Sequence, residues 1–354
     1  MSILWEQKHI PQWMKDRMMA LIPKKNGSAS LDNLRPIGLL EVLRKIWAGI
    51  IVRRVQTIWE KHGCLHPSQH GYRWNNGTDH ATFRAQDKVE QAKATDSALF
   101  AALWDIRAAF DSVPRTLMKL AWRRLGLPED VADWITSLDE GGLTFPATPH
   151  VLLNQELREP ADMASNDGSF LLRHDLGFLS ERGIIQGGTE SALSWIALYD
   201  MLLCVVNGPD GDAIREAILA YADDLMSITS SAAAQQVIAD RMSAFCCFAG
   251  MEIATNKTEY VAINGPRAPP SLRVHGLRWD ETIVPCAYGK DSVKYLGISL
   301  PVDGDERQSL AWAASMLSTT LKQLEMRAAP LSCKVYVAAA QIIPTVMYRA
   351  TKAP

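Results

Sequence analysis

Asp223 and Asp224 stand side by side within an apolar run, with Ile218-Leu219-Ala220 upstream and Leu225-Met226-Ser227-Ile228 downstream. Apolar segments on both sides of a short acidic break predict two buried strands joined by a tight turn. Such a hairpin carries carboxylates on a rigid tip. A hard cation such as Mg²⁺ takes oxygen ligands there, one or two carboxylates plus substrate phosphates. For an isolated Asp-Asp pair the plainer reading is a solvated turn, because Asp favours turns. A second acidic segment shifts the balance. The strand-like run 98–104 ends in Asp105 and continues as Ile106-Arg107-Ala108-Ala109-Phe110-Asp111-Ser112-Val113-Pro114. Asp105 and Asp223 brought together would clamp two metals about 3.5–4 Å apart for in-line phosphoryl transfer.

The elements that must position these groups are readable around them. Pro114 opens a helical pattern through Leu117, Leu120, Ala121, Arg124 and Leu125 that stops at Gly126. An aspartate where a buried strand gives way to a turn and a helix is a common active-site position; for Asp111 a helix-capping acid is the alternative. The spacing of Leu193, Ile196, Ala197, Leu198, Met201, Leu202 and Val205 predicts a long helix. Further helices are expected over Ala232 to Gly250, with Gly250 as the stop, and over Gln308 to Met326 and Ser332 to Tyr348. The Gly-, Pro- and Asp-rich stretch from Asp139 to Gly168 reads as loops or an insertion.

In order along the chain, these segments resemble the motifs of reverse transcriptases, most closely the non-LTR (LINE-like) retrotransposon type. Trp104 to Val113 resembles the first palm motif, with its metal-binding Asp and aromatic gate. Arg182-Gly183-Ile184-Ile185-Gln186-Gly187 resembles the Gln-Gly motif that packs against template and incoming nucleotide. Tyr221 to Asp224 resembles the metal-binding hairpin, Asn256-Lys257-Thr258-Glu259 the next motif, and Lys294-Tyr295-Leu296-Gly297 the primer-grip hairpin.

The resemblance implies an α+β right-hand polymerase fold: fingers over 1–96, a palm with an antiparallel sheet over 97–301, and the start of an incomplete helical thumb over 302–354. It implies an RNA-directed DNA polymerase that adds deoxynucleotides (dNTPs) to a DNA primer 3′ hydroxyl on an RNA template. Two Mg²⁺ ions, or Mn²⁺ in their place, are the implied cofactors. Their ligands would be Asp105, Asp223, Asp224 and the backbone carbonyl of Ile106, with Lys257 approaching the pyrophosphate as a proton donor. Lys24, Arg35, Phe110, Gln186 and Gly187 would bind the nucleotide. Tyr295, Leu296 and Gly297 would bind the primer, Gly297 by letting backbones approach closely. Phe110 as a gate would crowd a ribose 2′ hydroxyl, and a simple core aromatic stays open beside that role.

The first hundred residues fit the same resemblance. Leu21-Ile22-Pro23-Lys24-Lys25 and Leu34-Arg35-Pro36-Ile37-Gly38 are similar to the fingers segment, where Arg offers a planar fork to phosphate oxygens and Lys a point charge. Alone, Lys24 and Lys25 read as a solvated turn beside Asn26-Gly27. The helical run Glu41 to Glu60 places Val42, Leu43, Ile46, Trp47, Ile50, Ile51, Val55, Ile58 and Trp59 on apolar positions and Arg44, Lys45, Arg53 and Arg54 on an exposed face. Pro67 to Arg73 is similar to a template-side segment.

Composition bounds the reading. The chain has 354 residues, 47% of them hydrophobic, enough for one multi-lobed enzyme or two domains with a substantial core. The formal net charge of −2 argues against strong global nucleic-acid binding, since phosphate neutralisation supplies most non-specific affinity. Positive residues gather in the fingers segment, so a local basic track is compatible with a neutral total. The six cysteines lack metal-ligand spacing and read as reduced core thiols. His62, His66 and His70 recur at helical spacing, but Gly63 and Pro67 break any helix, leaving loop histidines. No membrane-spanning run or signal peptide is seen, so an intracellular location, nuclear or cytoplasmic, is expected.

The Gln-Gly motif departs from the family pattern. It continues Thr189-Glu190-Ser191-Ala192, which loses two prolines and is expected to loosen the turn and to put Glu190 in the path of nucleic acid. No endonuclease segment or RNase H-like acidic set is seen, as in a polymerase core separated from fused domains or a shortened descendant. Two alternatives stay open: a catalytically weak or repurposed protein with a structural or RNA-binding role, and an RNA-directed RNA polymerase, which Phe110 disfavours.

Overall fold

In the computed structural model, the apolar runs flanking Asp105 and the Asp223-Asp224 pair are neighbouring strands of one sheet. The structure describes residues 6, 9–24, 34–147, 177–208, 218–266, 269–287, 292–301 and 307–350. Its main elements are β1 (Arg17–Pro23), β2 (Leu34–Leu39), α1 (Val42–His62), α2 (Thr78–Ala94), β3 (Leu99–Trp104), α3 (Arg115–Arg124), α4 (Glu129–Ser137), β4 (Leu143–Pro146) and β5 (Phe178–Leu179). They continue with α5 (Ser191–Asn207), β6 (Ile218–Tyr221), β7 (Asp224–Thr229), α6 (Ala232–Ala249), β8 (Glu259–Ile263), β9 (Leu272–His275), β10 (Glu281–Val284), β11 (Ser292–Tyr295) and β12 (Ile298–Pro301). The C-terminal helices are α7 (Arg307–Glu325), α8 (Leu331–Val337) and α9 (Ile343–Ala350), the last two joined by a π-helical turn.

Contacts divide the chain into two compact units that interleave in sequence. One comprises Met1–His66, Arg107–Leu203 and Phe248–Met251; the other comprises Pro67–Ile106, Cys204–Cys247 and Glu252–Pro354. Each unit draws on more than one of the segments 1–96, 97–301 and 302–354.

In the first unit, β1 pairs antiparallel with β2 and parallel with β4, which pairs with β5. α1 lies differently from its expected amphipathic pattern. Arg44 is fully buried, while Val42, Leu43, Ile46, Ile50 and Ile58 are exposed. The cause is a pair of acids: Arg44 Nη2 lies 2.5 Å from Asp139 Oδ1 and 2.6 Å from Glu190 Oε1, and all three side chains are buried. Burial opposes the guanidinium charge, yet the two carboxylates outweigh it and hold Arg44 firmly protonated. Glu190 is therefore an internal counter-ion, not a charge in the path of nucleic acid. Asp139 likewise belongs to this core and not to a surface loop; most of the remaining stretch to Gly168 falls outside the described residues.

In the second unit, the sheet order is β6-β7-β3-β8, antiparallel throughout. β3 is an apolar run covered on both faces. Leu99 and Ala101, with Leu103 packed against them, share a cluster with Ala81, Ala85 and Val89 of α2 and with Met226, Ile228 and Val261. On the alternate face, Trp104 Nε1 donates to Ser227 Oγ at 2.8 Å, and Gln235 of α6 also bonds that hydroxyl. The hairpin β11-β12 adds Val293, Tyr295, Ile298 and Leu300 to the cluster. The C-terminal helices form a small core of their own around Ile342 and Val346.

Three smaller expectations meet the structure here. Gly250 ends α6 at φ +62° and Gly126 follows α3 at φ +87°, as their positions suggested. Of the six cysteines, all free, only Cys246 is buried, and Cys64, Cys204 and Cys333 are exposed. Short apolar neighbours do not by themselves bury a thiol. His62 closes α1 ahead of Gly63, at φ +60°, so His62, His66 and His70 share no helical face. Among the described residues, no helix is long and apolar enough to cross a membrane.

Candidate active site

The register of the second unit's sheet decides which carboxylates meet. Trp104 opposes Leu225, so the next residue of the first strand, Asp105, emerges at the end of the sheet where Asp224 begins β7. Tyr221 pairs with Asp224, leaving Ala222 and Asp223 as the two-residue tip. Desolvation, then the charge of Asp223, then that of Asp105, pushes the Asp224 carboxyl up to about 6. Both tip acids keep solvent-exposed surface. Asp105 and the Asp223-Asp224 pair thus share one end of one sheet and repel one another.

The turn has an unusual backbone. Ala222 adopts φ +57°, a left-handed conformation that costs a non-glycine residue about 1–2 kcal/mol. The strand-like segment beside it holds it there. His70 N–H donates to the Ala220 carbonyl at 2.7 Å and Ala220 N–H to the Ser68 carbonyl at 2.9 Å, extending the sheet beyond β6. Gln69 reaches the tip itself, giving its Nε2 to the Ala222 carbonyl and accepting the Ala222 N–H at Oε1.

Lys257 lies in the turn before β8. Its backbone N–H donates to the Ala254 carbonyl at 2.9 Å, and the Ala254 N–H donates to the Asp105 carbonyl at 2.7 Å. Its ammonium sits 2.9 Å from Asp105 Oδ2. Ile106 bridges to Ile253 and is buried, so the peptide after Asp105 is fixed on the same turn.

Tyr295 is turned inward. Its ring is buried, its hydroxyl donates to the Leu219 carbonyl at 3.1 Å, and burial pushes its ionisation far up. It braces the strand that leads to the acidic tip and does not present its ring to a primer. The hairpin turn is Leu296, at φ +48°, and Gly297, at φ +81°. Among the described residues nothing lies within 4 Å of a Cβ built on Gly297, whose positive φ suits the turn.

The nucleotide-binding candidates all belong to the first unit. Gly38 N–H donates to the Gln186 carbonyl at 2.6 Å, and a Cβ on Gly187, at φ +115°, would sit 2.6 Å from the Gly38 carbonyl. The Gln-Gly turn is therefore packed directly onto β2. Ser191 Oγ bonds the Ile185 carbonyl and Gly188 N–H donates to it as well, which tightens the turn without the family's prolines. Gly183 N–H donates to the Val113 carbonyl and Ile184 N–H to the Phe110 carbonyl, tying the first palm motif to the Gln-Gly motif. Phe110 is half-buried and stacks on Trp195, centroids 5.0 Å apart. A cavity of about 250 Å³ adjoins Gln186, with Asp111, Arg17 and Arg182 in its lining. Asp111 is not a cap of α3, whose N-cap is Pro114. Burial pushes its carboxyl up and Lys24 opposes that. Lys24 and Arg35 are both exposed, at the end of β1 and on β2.

The sequence profile described as "Reverse transcriptase (RNA-dependent DNA polymerase)" matches residues 22–300. The chain belongs to the reverse transcriptase family. It is 25% identical over 354 residues to the Retrovirus-related Pol polyprotein from type-1 retrotransposable element R2 of Popillia japonica, covering 96% of this chain and 45% of that protein. It is 26% identical over 313 residues to the corresponding polyprotein of type-2 retrotransposable element R2DM of Drosophila melanogaster, covering 86% and 27%. This reverse transcriptase chain thus spans less than half the length of either relative, and both bear out the retrotransposon resemblance. Among solved structures, Candida tropicalis telomerase in complex with a fragment of telomeric RNA superposes with a TM-score of 0.51 at 13% identity, over 99% of this chain and 56% of that one. That likeness establishes the right-hand polymerase fold.

Whether the acids suit divalent metal is decided by the donor set. Among the described residues, no group of three or more His, Cys, Asp or Glu side chains is gathered closely enough to hold a metal ion. Burial, and then the charges of Asp223 and Asp105, raise Asp224, and carboxylates are the oxygen donors that Mg²⁺ takes when substrate phosphates and water complete its shell. The donor types suit such an ion.

Proposed function

We propose that this reverse transcriptase chain is an RNA-directed DNA polymerase that extends a DNA primer with dNTPs on an RNA template. The observation that carries the reading is the placement of Asp105, Asp223 and Asp224 at one end of one sheet, where burial and then the charges of Asp223 and Asp105 raise Asp224. Asp105, Asp223 and Asp224, with the Ile106 carbonyl, would hold two Mg²⁺ ions, or Mn²⁺. When bound, the metals supply Lewis-acid stabilisation of the attacking and leaving oxygens in an in-line displacement.

The remaining roles fall to the chain's own residues. Lys257, beside Asp105, is the proton donor to the departing pyrophosphate. Lys24 and Arg35 neutralise the triphosphate, Gln186 and Gly187 pack against the incoming nucleotide, and Phe110 restricts the sugar. Leu296 and Gly297 face the primer, with Tyr295 bracing them from inside. The segments 1–96, 97–301 and 302–354 act as fingers, palm and the start of a thumb, in a protein that works with further domains inside the cell. A structural or RNA-binding role is the second reading, and within it the net charge of −2 favours the structural role over RNA binding.

Primer extension on RNA and DNA templates with Mg²⁺ or Mn²⁺ tests the proposal. Extension should require Asp105 and Asp223, each replacement by Asn lowering the rate at least about a hundredfold, as loss of a main electrostatic stabiliser does. RNA binding without extension by the folded wild-type protein would favour the second reading.

A further inference from the structure

We propose that Gln69 is the positioning residue of the metal-binding tip, setting the peptide of Ala222 and through it the carboxylate of Asp223. The inference rests on the metal-site reading of that hairpin. Gln69 lies 153 positions before Ala222 in the chain and is buried. Both ends of its amide are bonded. Oε1 accepts the N–H of Ala222 at 3.0 Å and the N–H of Gly71 at 2.8 Å, and Nε2 donates to the Ala222 carbonyl at 3.2 Å. Both backbone groups of the one residue at positive φ in the tip are therefore held by a single side chain.

The segment around Gln69 closes on the same peptide. A Cβ on Gly71 would stand 2.2 Å from the Ala222 nitrogen and 3.0 Å from its Cα, so only glycine lets the two backbones come this close. Tyr72, also at positive φ, follows directly. A buried amide whose oxygen accepts two bonds and whose nitrogen donates a third has one orientation. A strained tip persists only where its surroundings over-determine it, and Gln69 with Gly71 supplies that determination. Asp223 is attached to the peptide they hold, so the separation of the metal-binding oxygens is set from outside the hairpin.

The test uses the full chain with Gln69→Met, which keeps length and removes all three bonds, and Gly71→Ala, which pushes on the same peptide from the other side. Three readouts are taken: hydrogen exchange of the peptide spanning 218–229, Mn²⁺ affinity by electron paramagnetic resonance, and primer-extension kinetics. Both variants should exchange faster at 218–229 than wild type while exchange in α2 and β8 stays unchanged. Mn²⁺ affinity should fall about tenfold, and kcat should fall with KM for dNTP unchanged. Unchanged exchange at 218–229 in Gln69→Met overturns the proposal, whatever the activity. Acceleration spread evenly over the whole unit in both variants also overturns it, because Gln69 would then be a general core residue. If the tip loosens locally in a chain whose wild type neither binds Mn²⁺ nor extends primers, the positioning stands and the polymerase reading falls.

Discussion

Lys257 Nζ lies 2.9 Å from Asp105 Oδ2, so the first carboxylate of the site carries an ammonium partner as well as two acidic neighbours. The pairing follows from the backbone: Ala254 bonds the Asp105 carbonyl and the Lys257 amide in succession. Both charged ends reach solvent, and exposed pairs contribute about 0–1 kcal/mol. Lys257→Met should therefore tighten Mn²⁺ binding only slightly, by about two- to fivefold, while slowing extension. Titration of Mn²⁺ into wild type and variant reads the first effect. Weaker binding in Lys257→Met would mean that the lysine supports the ion instead of competing with it.

Asp224 gives a pH dependence whose direction is fixed. Its carboxyl titrates at about 6 in the folded chain against an ordinary 3.8. A folded pKa above the unfolded one favours folding fully below the unfolded value, and that contribution is lost as pH rises through the folded value. In metal-free buffer the chain should lose stability between about pH 4 and pH 6 from this group. Asp224→Asn should melt higher than wild type at pH 7.5, with the gap closing at pH 4. Thermal melts of both proteins across that window would sink the assignment if the gap stayed constant.

The buried Arg44 makes a prediction about stability with no part in the chemistry. Removing it leaves Asp139 and Glu190 as buried carboxylates, with Arg17 3.7 Å from Asp139 as the nearest remaining cation in this cluster. Breaking a buried pair by deleting one partner costs about 3–5 kcal/mol. Arg44→Met should lose stability of that size in urea unfolding. Glu190→Gln, which can still accept a bond from Arg44, should lose less. A loss below about 1 kcal/mol for Arg44→Met would show that water reaches the acids.

What could be read from the sequence was local. The strands around Asp223 and Asp224 are bounded by apolar residues within a few positions, and a two-residue break leaves one register, so the hairpin and its partner strand were legible. The stops at Gly126 and Gly250 were legible for the same reason. The burial of Arg44 in α1 was not, because the acids that draw it inward stand 95 and 146 positions away, while Arg53 and Arg54 are exposed and Val55 and Trp59 buried as expected. Without them, four basic residues on a helix look like a solvated face. Tyr295 sat in a motif that suggested a primer contact, yet its hydroxyl partner is the Leu219 carbonyl, 76 positions earlier. Gln69 was visible only as one polar residue in a Gly- and His-containing segment. Its role depends on a long-range bridge to Ala220, which no spacing rule encodes.

Phe110 is where a core role and a functional role can be separated by experiment. One face of the ring stacks on the fully buried Trp195, and the rest is half-exposed in a segment tied to the Gln-Gly motif through the Phe110 carbonyl. A fully buried Phe→Ala change costs about 3–5 kcal/mol; Phe110→Ala should cost less, because the residue is only partly buried. If the exposed edge crowds a ribose 2′ hydroxyl, removing it should relax the preference for dNTPs over ribonucleotides by about tenfold or more, the scale of a steric contact in a binding pocket. Phe110→Tyr, which keeps the ring, should retain wild-type selectivity. The measurement is the ratio of kcat/KM for the two sugars in each variant, beside urea unfolding. A folded Phe110→Ala with unchanged sugar preference would return Phe110 to a packing role under Trp195 and leave sugar selection to other residues.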